Sequence, residues 1–182
     1  RRKAALMNTR EEIISQVEKG AQLDSNYVLL VVLSAIVAAI GLLENNLAVI
    51  VGAMVIAPLL GPNIAFSLGT SLGDKGLVIE SLKAIFTGIT LAILVSFLIG
   101  LAWPGSFDSF ELLDRTDVDY SGTAIALASG AAASLSLVSG VSSVLVGVMV
   151  AVALMPPAVA IGLMLRTANI SLAMGAVLLL AV

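Results

Sequence analysis

The sequence predicts an all-α polytopic membrane protein made of two inverted three-helix repeats, each with a proline-broken second helix. Three observations carry this. Hydrophobic residues make up 59% of the 182 residues and charged residues only 12%, where an ordinary soluble domain is about a quarter charged. The charges are gathered between uncharged stretches long enough to cross a bilayer. Finally, one proline-bearing apolar segment occurs twice. Val51-Gly52-Ala53-Met54-Val55 returns as Val146-Gly147-Val148-Met149-Val150, and with no gap Leu59 falls on Leu154, Pro62 on Pro157 and Ala65 on Ala160. A broken apolar segment in corresponding positions of two halves is a feature of transporters built from internal repeats.

Composition also excludes several classes. The net charge of −3 and the absence of a basic patch interleaved with aromatics argue against a nucleic-acid partner. There is no Cys and no His, so disulfides, thiol catalysis, His general bases and the usual zinc sites are ruled out. No ionisable residue lies deep in an expected span, which argues against a proton relay and against an intramembrane enzyme. The expectation is a non-enzyme without cofactor or metal. The polar opening is no signal peptide. The chain starts on Arg1 and stops inside an apolar run, so it is read as part of a longer protein.

In chain order, residues 1–24 carry Arg1, Arg2, Lys3, Arg10 and Lys19. Thr9 and Glu12 have capping-box spacing, and Ile13, Ile14 and Val17 share a face. This is a cytoplasmic segment, either an amphipathic helix on the membrane surface or a plain linker helix. The first repeat is residues 25–103. Its first span, residues 25–43, has nineteen uncharged residues, about 28 Å of helix, with Tyr27 where interfacial aromatics belong. Glu44-Asn45-Asn46 is a polar turn. Residues 47–72 form the interrupted second span, ended by Asp74 and Lys75. Residues 76–103 are the third, closed by Trp103-Pro104. Residues 104–120 are an acidic external loop. The second repeat is residues 121–182. Residues 120–165 hold no charge over forty-six positions, enough for two spans divided at Ser139-Gly140. The row Gly122, Ala126, Gly130, Ser134 lets helix backbones approach. Pro156-Pro157 interrupts the fifth span, and the sixth, from Ile170, is truncated.

Seven Lys and Arg flank one side of these spans (Arg1, Arg2, Lys3, Arg10, Lys19, Lys75, Lys83) and two the other (Arg115, Arg166). The positive-inside rule puts the N-terminus in the cytoplasm and the acidic loop outside. Three spans per unit is an odd number, so the second unit runs through the membrane upside down.

The breaks are the candidate site. Proline lacks an amide hydrogen and clashes with the carbonyl one turn back. Pro58 and Pro62 free the carbonyls of Met54 and Pro58, and Pro156 and Pro157 free those of Val152 and Ala153. Proline suits a first helical position, so Pro62 and Pro157 are expected to start second half-helices. The amides of Asn63, Ile64 and Ala65, and of Ala158, Val159 and Ala160, would then face each other near the midplane. Helix N-termini attract anions. The expected ligand-binding set is Met54, Pro58, Gly61, Pro62, Asn63, Ile64, Val152, Pro156, Pro157 and Ala158. Freed carbonyls suit Na⁺ as the competing ligand. The bland reading is that the prolines only kink packed helices.

Other candidates are weaker. Glu80 and Lys83 share a helix face at a solvated helix entry. Glu44 with Asn45 and Asn46 is an exposed turn or an outer vestibule. Asp114, Asp117 and Asp119 lack the glycine and terminal Glu of a calcium loop. Ser139, Ser142 and Ser143 satisfy backbone carbonyls.

Residues 52–62, GAMVIAPLLGP, preceded by Glu44-Asn45-Asn46 and followed by Leu72-Gly73-Asp74, resemble the bacterial and archaeal membrane family catalogued as domain of unknown function 389. So do the entry at residues 24–30 and Leu154-Met155-Pro156-Pro157. The likeness covers most of residues 24–165. It implies a polytopic inner-membrane protein whose members often carry extra soluble segments, and it supplies no activity, substrate or site residue.

The expected function is a transporter or channel for a small solute, an anion slightly favoured, bound at opposed half-helix N-termini. The rival is a non-transporting membrane scaffold or sensor that holds partners through its surface helix and loops. Expected partners are membrane lipid and further copies of the chain: six spans are few for an isolated transporter, which favours an oligomer, and the small row on the fourth span suits internal packing or the favoured homodimer.

Overall fold

A computed structural model describes residues 17, 19–105, 107, 109–114, 127–132, 135, 143–166, 174, 176, 177 and 180. Its described elements are all α-helical. Two helices are long and apolar enough to cross a membrane, and a third span is made if a bent pair counts as one. Exposed Leu29, Leu33, Val51, Val55, Ile79, Phe86, Leu94, Leu98 and Leu101 stud the outside of these helices. On a water-soluble protein so many large apolar side chains would not stay bare, and the chain is a membrane protein.

Helix α1 is Ser25–Leu43, with the bounds its sequence predicts. Asp24 caps it by accepting from the Tyr27 amide at 2.7 Å. Its end is closed by Asn45, which adopts the left-handed conformation (φ 55°) that Asn tolerates better than most residues, and by the Asn46 amide donating to the Gly41 carbonyl at 2.8 Å. The Asn46 side chain then caps α2, Leu47–Ile56, through the Val49 amide. Residues 57–59 are not helical. Helix α3, Leu60–Leu72, leaves at 54° to α2. Gly73 ends it at φ 70°, and Asp74 caps α4, Lys75–Ala102, by accepting from the amides of Gly76 and Leu77. Helix α5 is the short Phe110–Asp114, and α6 is Ser143–Arg166. Residues 127–132 are also helical.

The packing core is one cluster reaching from Tyr27 and Val31 on α1 through Ile50 and Ala53 on α2 to Val159 and Leu163 on α6. Helix α4 buries Leu77, Ser81, Ala84, Gly88, Ala92, Ser96 and Gly100, nearly all small and three or four residues apart. Such a seam lets helices approach closely where lipid removes the usual hydrophobic drive. A side chain on Gly162 of α6 would meet the Ser96 hydroxyl, the Ile93 carbonyl and, at 3.0 Å, the Phe97 amide nitrogen. Gly100 lies against Leu163 and Arg166. Later residues of α4 thus meet later residues of α6, and the two run parallel. The buried hydroxyls of Ser34, Ser81 and Ser96 donate to carbonyls of their own helices.

At the end where α1 turns into α2, the segment after α4 folds back onto the bundle. Phe107 and Leu112 are buried. Ser109 donates to the Leu42 carbonyl, and the Glu111 amide donates to Asn45 Oδ1 at 2.9 Å. The Arg166 guanidinium stands 4.9 Å from the Phe107 ring centre. That end therefore also holds the C-terminus of α6, and α6 runs antiparallel to α2.

Candidate functional site

The break is where local sequence overrides the helix. Ala57 precedes a proline, which pushes a residue out of the helical region, and it sits at φ −61°, ψ 121°. Its amide closes α2 on the Ala53 carbonyl, and Pro58 has no amide for Met54. Leu59 returns to helical angles and is the N-cap of α3, without a side-chain cap bond. Pro62 is therefore the third residue of α3 and not its first, as expected. Proline is harmless anywhere in that turn, because those amides lack helical partners. This moves the free amides. The Asn63 amide is bonded to the Leu59 carbonyl at 3.4 Å, and so is the Asn63 side chain, through Nδ2 at 2.8 Å. The amides of Leu59, Leu60 and Gly61 have no hydrogen-bond partner among the described residues. Met54, Ala57, Leu59 and Pro62 are buried, and Pro58, Gly61, Asn63 and Ile64 half-buried.

Three groups wall the break. The buried Tyr27 hydroxyl donates to the Ala84 carbonyl of α4 at 2.8 Å, a partner inside the protein that its place at the start of α1 does not announce. Gly88 lies under that hydroxyl, with Leu59 Cδ2 3.7 Å from the position a β-carbon would take. On the other side Gly20 meets Gly61 backbone to backbone: a β-carbon on Gly20 would lie 3.3 Å from Gly61 Cα, and one on Gly61 would strike the Gly20 carbonyl. Ala21 is fully buried with Ala65 and Leu77, with Val17 and Leu68 packed against them. The described end of the N-terminal segment thus lies on α3 and α4; Thr9, Glu12, Ile13 and Ile14 are outside the described residues. The break stands beside the first turn of α1, and about a turn and a half from the exposed Lys83.

The second expected break is absent. Pro156 and Pro157 lie inside one continuous helix, so no half-helix starts at Pro157 and the amides of Ala158, Val159 and Ala160 belong to a helix interior. Residues 155–164 are buried on every side, and that packing holds the helix through two lost hydrogen bonds. Val152 lies in the same helix. The first break and the Pro156-Pro157 step are not brought together as opposed N-termini.

Among the weaker candidates, Glu80 and Lys83 are both exposed and form no ion pair. Asn45 and Asn46 serve as helix caps. Among the described residues no cluster of acidic side chains could hold a metal. Of the small row on the fourth span, Gly130 is described and a β-carbon there would meet open space; Gly122, Ala126 and Ser134 lie outside the described residues, as do Asp117, Asp119, Ser139, Ser142 and the Ser139-Gly140 division, and the side chains of Asp114 and Ser143. The small-residue seam on α4 was missed from sequence, although its spacing from Ser81 to Gly100 was there to find.

Residues 54–182 match the family described as Domain of unknown function (DUF389). An uncharacterized protein of Methanocaldococcus jannaschii is 37% identical over 170 residues, 93% of this chain and 53% of the relative. The chain belongs to this family and spans about half the length of the curated relative it matches. No solved structure matches.

Proposed function

For this DUF389 member we propose transport: a carrier or channel for a small solute, an anion slightly favoured, with its path through the single break at residues 57–62. The observation that carries the reading is the run of unpartnered amides, Leu59, Leu60 and Gly61, at the start of a helix bent 54° from its predecessor. Non-helical backbone at membrane depth is tolerated only where protein or a water-filled cavity surrounds it, and free amides at a helix start favour negative charge. Tyr27, Gly88 and Gly61 would line the path. Six spans in two inverted repeats remain the proposed frame, supported by α6 running antiparallel to α2, the helix with which it aligns. The seven-to-two distribution of Lys and Arg supports an N-terminus in the cytoplasm and residence in the inner membrane, and a homodimer is proposed for the assembly.

The test is solute flux into liposomes holding the purified chain, over a panel of inorganic and organic anions and of cations. Wild type should conduct at least one anion. Pro58→Ala, which restores an amide to the break and favours a continuous helix, should reduce that flux. Absence of flux for every solute in wild type sinks the proposal. The packed prolines of α6 support the rival, a scaffold or sensor, and that outcome would leave it standing.

A further inference from the structure

We infer that the membrane boundary on the side where α1 begins crosses α4 near Lys83, so that α3 and the start of α4 form a hairpin standing in water beyond the bilayer. Helix length is the first reason. Helix α1 crosses in nineteen residues, about 28 Å, whereas α4 has twenty-eight, about 42 Å, against a hydrocarbon core of about 30 Å. The two helices are in register at a known point, because the Tyr27 hydroxyl at the start of α1 meets the Ala84 carbonyl. At the far end, Ser109 in the segment after α4 is bonded to Leu42 in the last turn of α1. Residues 84–102 of α4 therefore run beside α1, and residues 75–83 reach about 13 Å beyond it.

The character of the side chains changes at the same level. Residues 25–43 and 84–102 hold no charge, and Phe86, Leu94, Leu98 and Leu101 are exposed on the second of these stretches. Lys19, Asp24, Asp74, Lys75, Glu80 and Lys83 lie across the line, and all are exposed. Sinking α4 as far as Lys75 would carry the Glu80 carboxylate and the Lys83 ammonium into hydrocarbon without an ion pair, which lipid penalises. Helix α3 packs on the same extension of α4: Gly69 lies against Val78, and Ala65 is buried with Leu77. Its outward side carries the exposed Ser67, Thr70 and Ser71, with the half-buried Asn63 on the same face, where a helix lying against lipid would show apolar side chains. Phe66, Leu72 and Ile79 are the large apolar side chains exposed on the hairpin, scattered as on an ordinary wet surface. In the proposed orientation this is the cytoplasmic face. The inference goes beyond the transport reading and does not rest on it; if a solute passes, the break is the mouth of its path, since Leu59 stands level with Gly88 and Tyr27.

The chain has no cysteine, so a thiol placed in it reports on one position. Ser71→Cys lies on α3, Ile79→Cys on the extension of α4, and Leu94→Cys and Leu98→Cys on its membrane part, all at exposed sites where the packing is left intact. Each is made singly, reconstituted in liposomes with a membrane-impermeant maleimide on both faces, and compared with the same variant denatured. The thiols at residues 71 and 79 should react within about tenfold of the denatured rate, as at a wet site. Those at residues 94 and 98 should be slower by roughly a hundredfold or more, because the thiolate is the reacting form and lipid suppresses it. Slow labelling at residue 71 or residue 79 overturns the inference, since the hairpin would then not stand in water. Fast labelling at residue 94 or residue 98 overturns it too, because α4 would not meet lipid there. If residues 71 and 79 react fast, residues 94 and 98 react slowly and the wild type passes no solute, the placement stands and the transport reading falls.

Discussion

Residues 47–72 and 142–167 align without a gap, and each carries two prolines, yet the first stretch breaks and the second does not. The prolines are placed differently. In the first, Pro58 and Pro62 are one turn apart, with Gly61 before the second. In the second, Ala153 stands where Pro58 does, and Pro156 and Pro157 are adjacent. A proline damages the turn before it. Prolines one turn apart spoil successive turns, and Ala57 leaves the helix. Adjacent prolines spoil a single turn, which neighbours can hold in place. The surroundings differ as well. Residues 155–164 are buried throughout, while residues 58, 60, 61, 63 and 64 are half-buried. What decides between a kinked helix and a broken one is proline spacing together with the packing around it.

Substitutions can break or sharpen this contrast. The largest effect is expected from Ala153→Pro, which gives α6 the spacing of the first stretch at an exposed position just before the buried residues 155–164. It should cost about 3 kcal/mol or more, read as loss of a cooperative thermal transition in detergent. If α6 survives it with little change, spacing is not the cause. Next is Gly162→Val, which drives a branched side chain into Ser96 and the Ile93 backbone. A cost of about 2 kcal/mol is expected from overpacking, and the double variant with Ser96→Ala should recover only part of it, because the Ile93 carbonyl still obstructs. The smallest is Tyr27→Phe, which leaves the Ala84 carbonyl without its donor for about 1 kcal/mol. Its effect should be local: faster amide exchange in residues 57–61 and none in α6. Equal changes in the two regions would mean that Tyr27 holds the whole bundle and not the break.

Much of this was legible in the sequence. The limits of α1 follow from Asp24 and Glu44 flanking an uncharged stretch, and the α3–α4 turn from Gly73-Asp74. The first break was visible in Pro58, Gly61 and Pro62, because proline acts on its own backbone and the residues beside it. The start of α3 was misplaced by two residues, since all three positions of a first turn accept proline. The fate of Pro156-Pro157 was not legible. It is set by residues of α1, α2 and α4, far away in the chain. The same holds for the partner of Tyr27: the carbonyl that its hydroxyl meets lies fifty-seven residues on. The docking of Gly20 on Gly61 was not legible: Gly61 reads as part of the break, and Gly20 carries no signal of its own.

The 54° elbow between α2 and α3 also has a mechanical side. The opposite end of the bundle is tied by Ser109 to Leu42, by Glu111 to Asn45 and by Arg166 to Phe107, so it is the natural fixed support. Helix α3 is a rigid arm of thirteen residues, about 20 Å long, pivoting close to the other end. Turning that arm by about 10° would swing its tip at Leu72 by about 3 Å while the pivot hardly moves. Were the elbow to flex, a small displacement there would become a larger one at the α3–α4 turn, and α4 would have to follow, because Gly69 is packed against Val78.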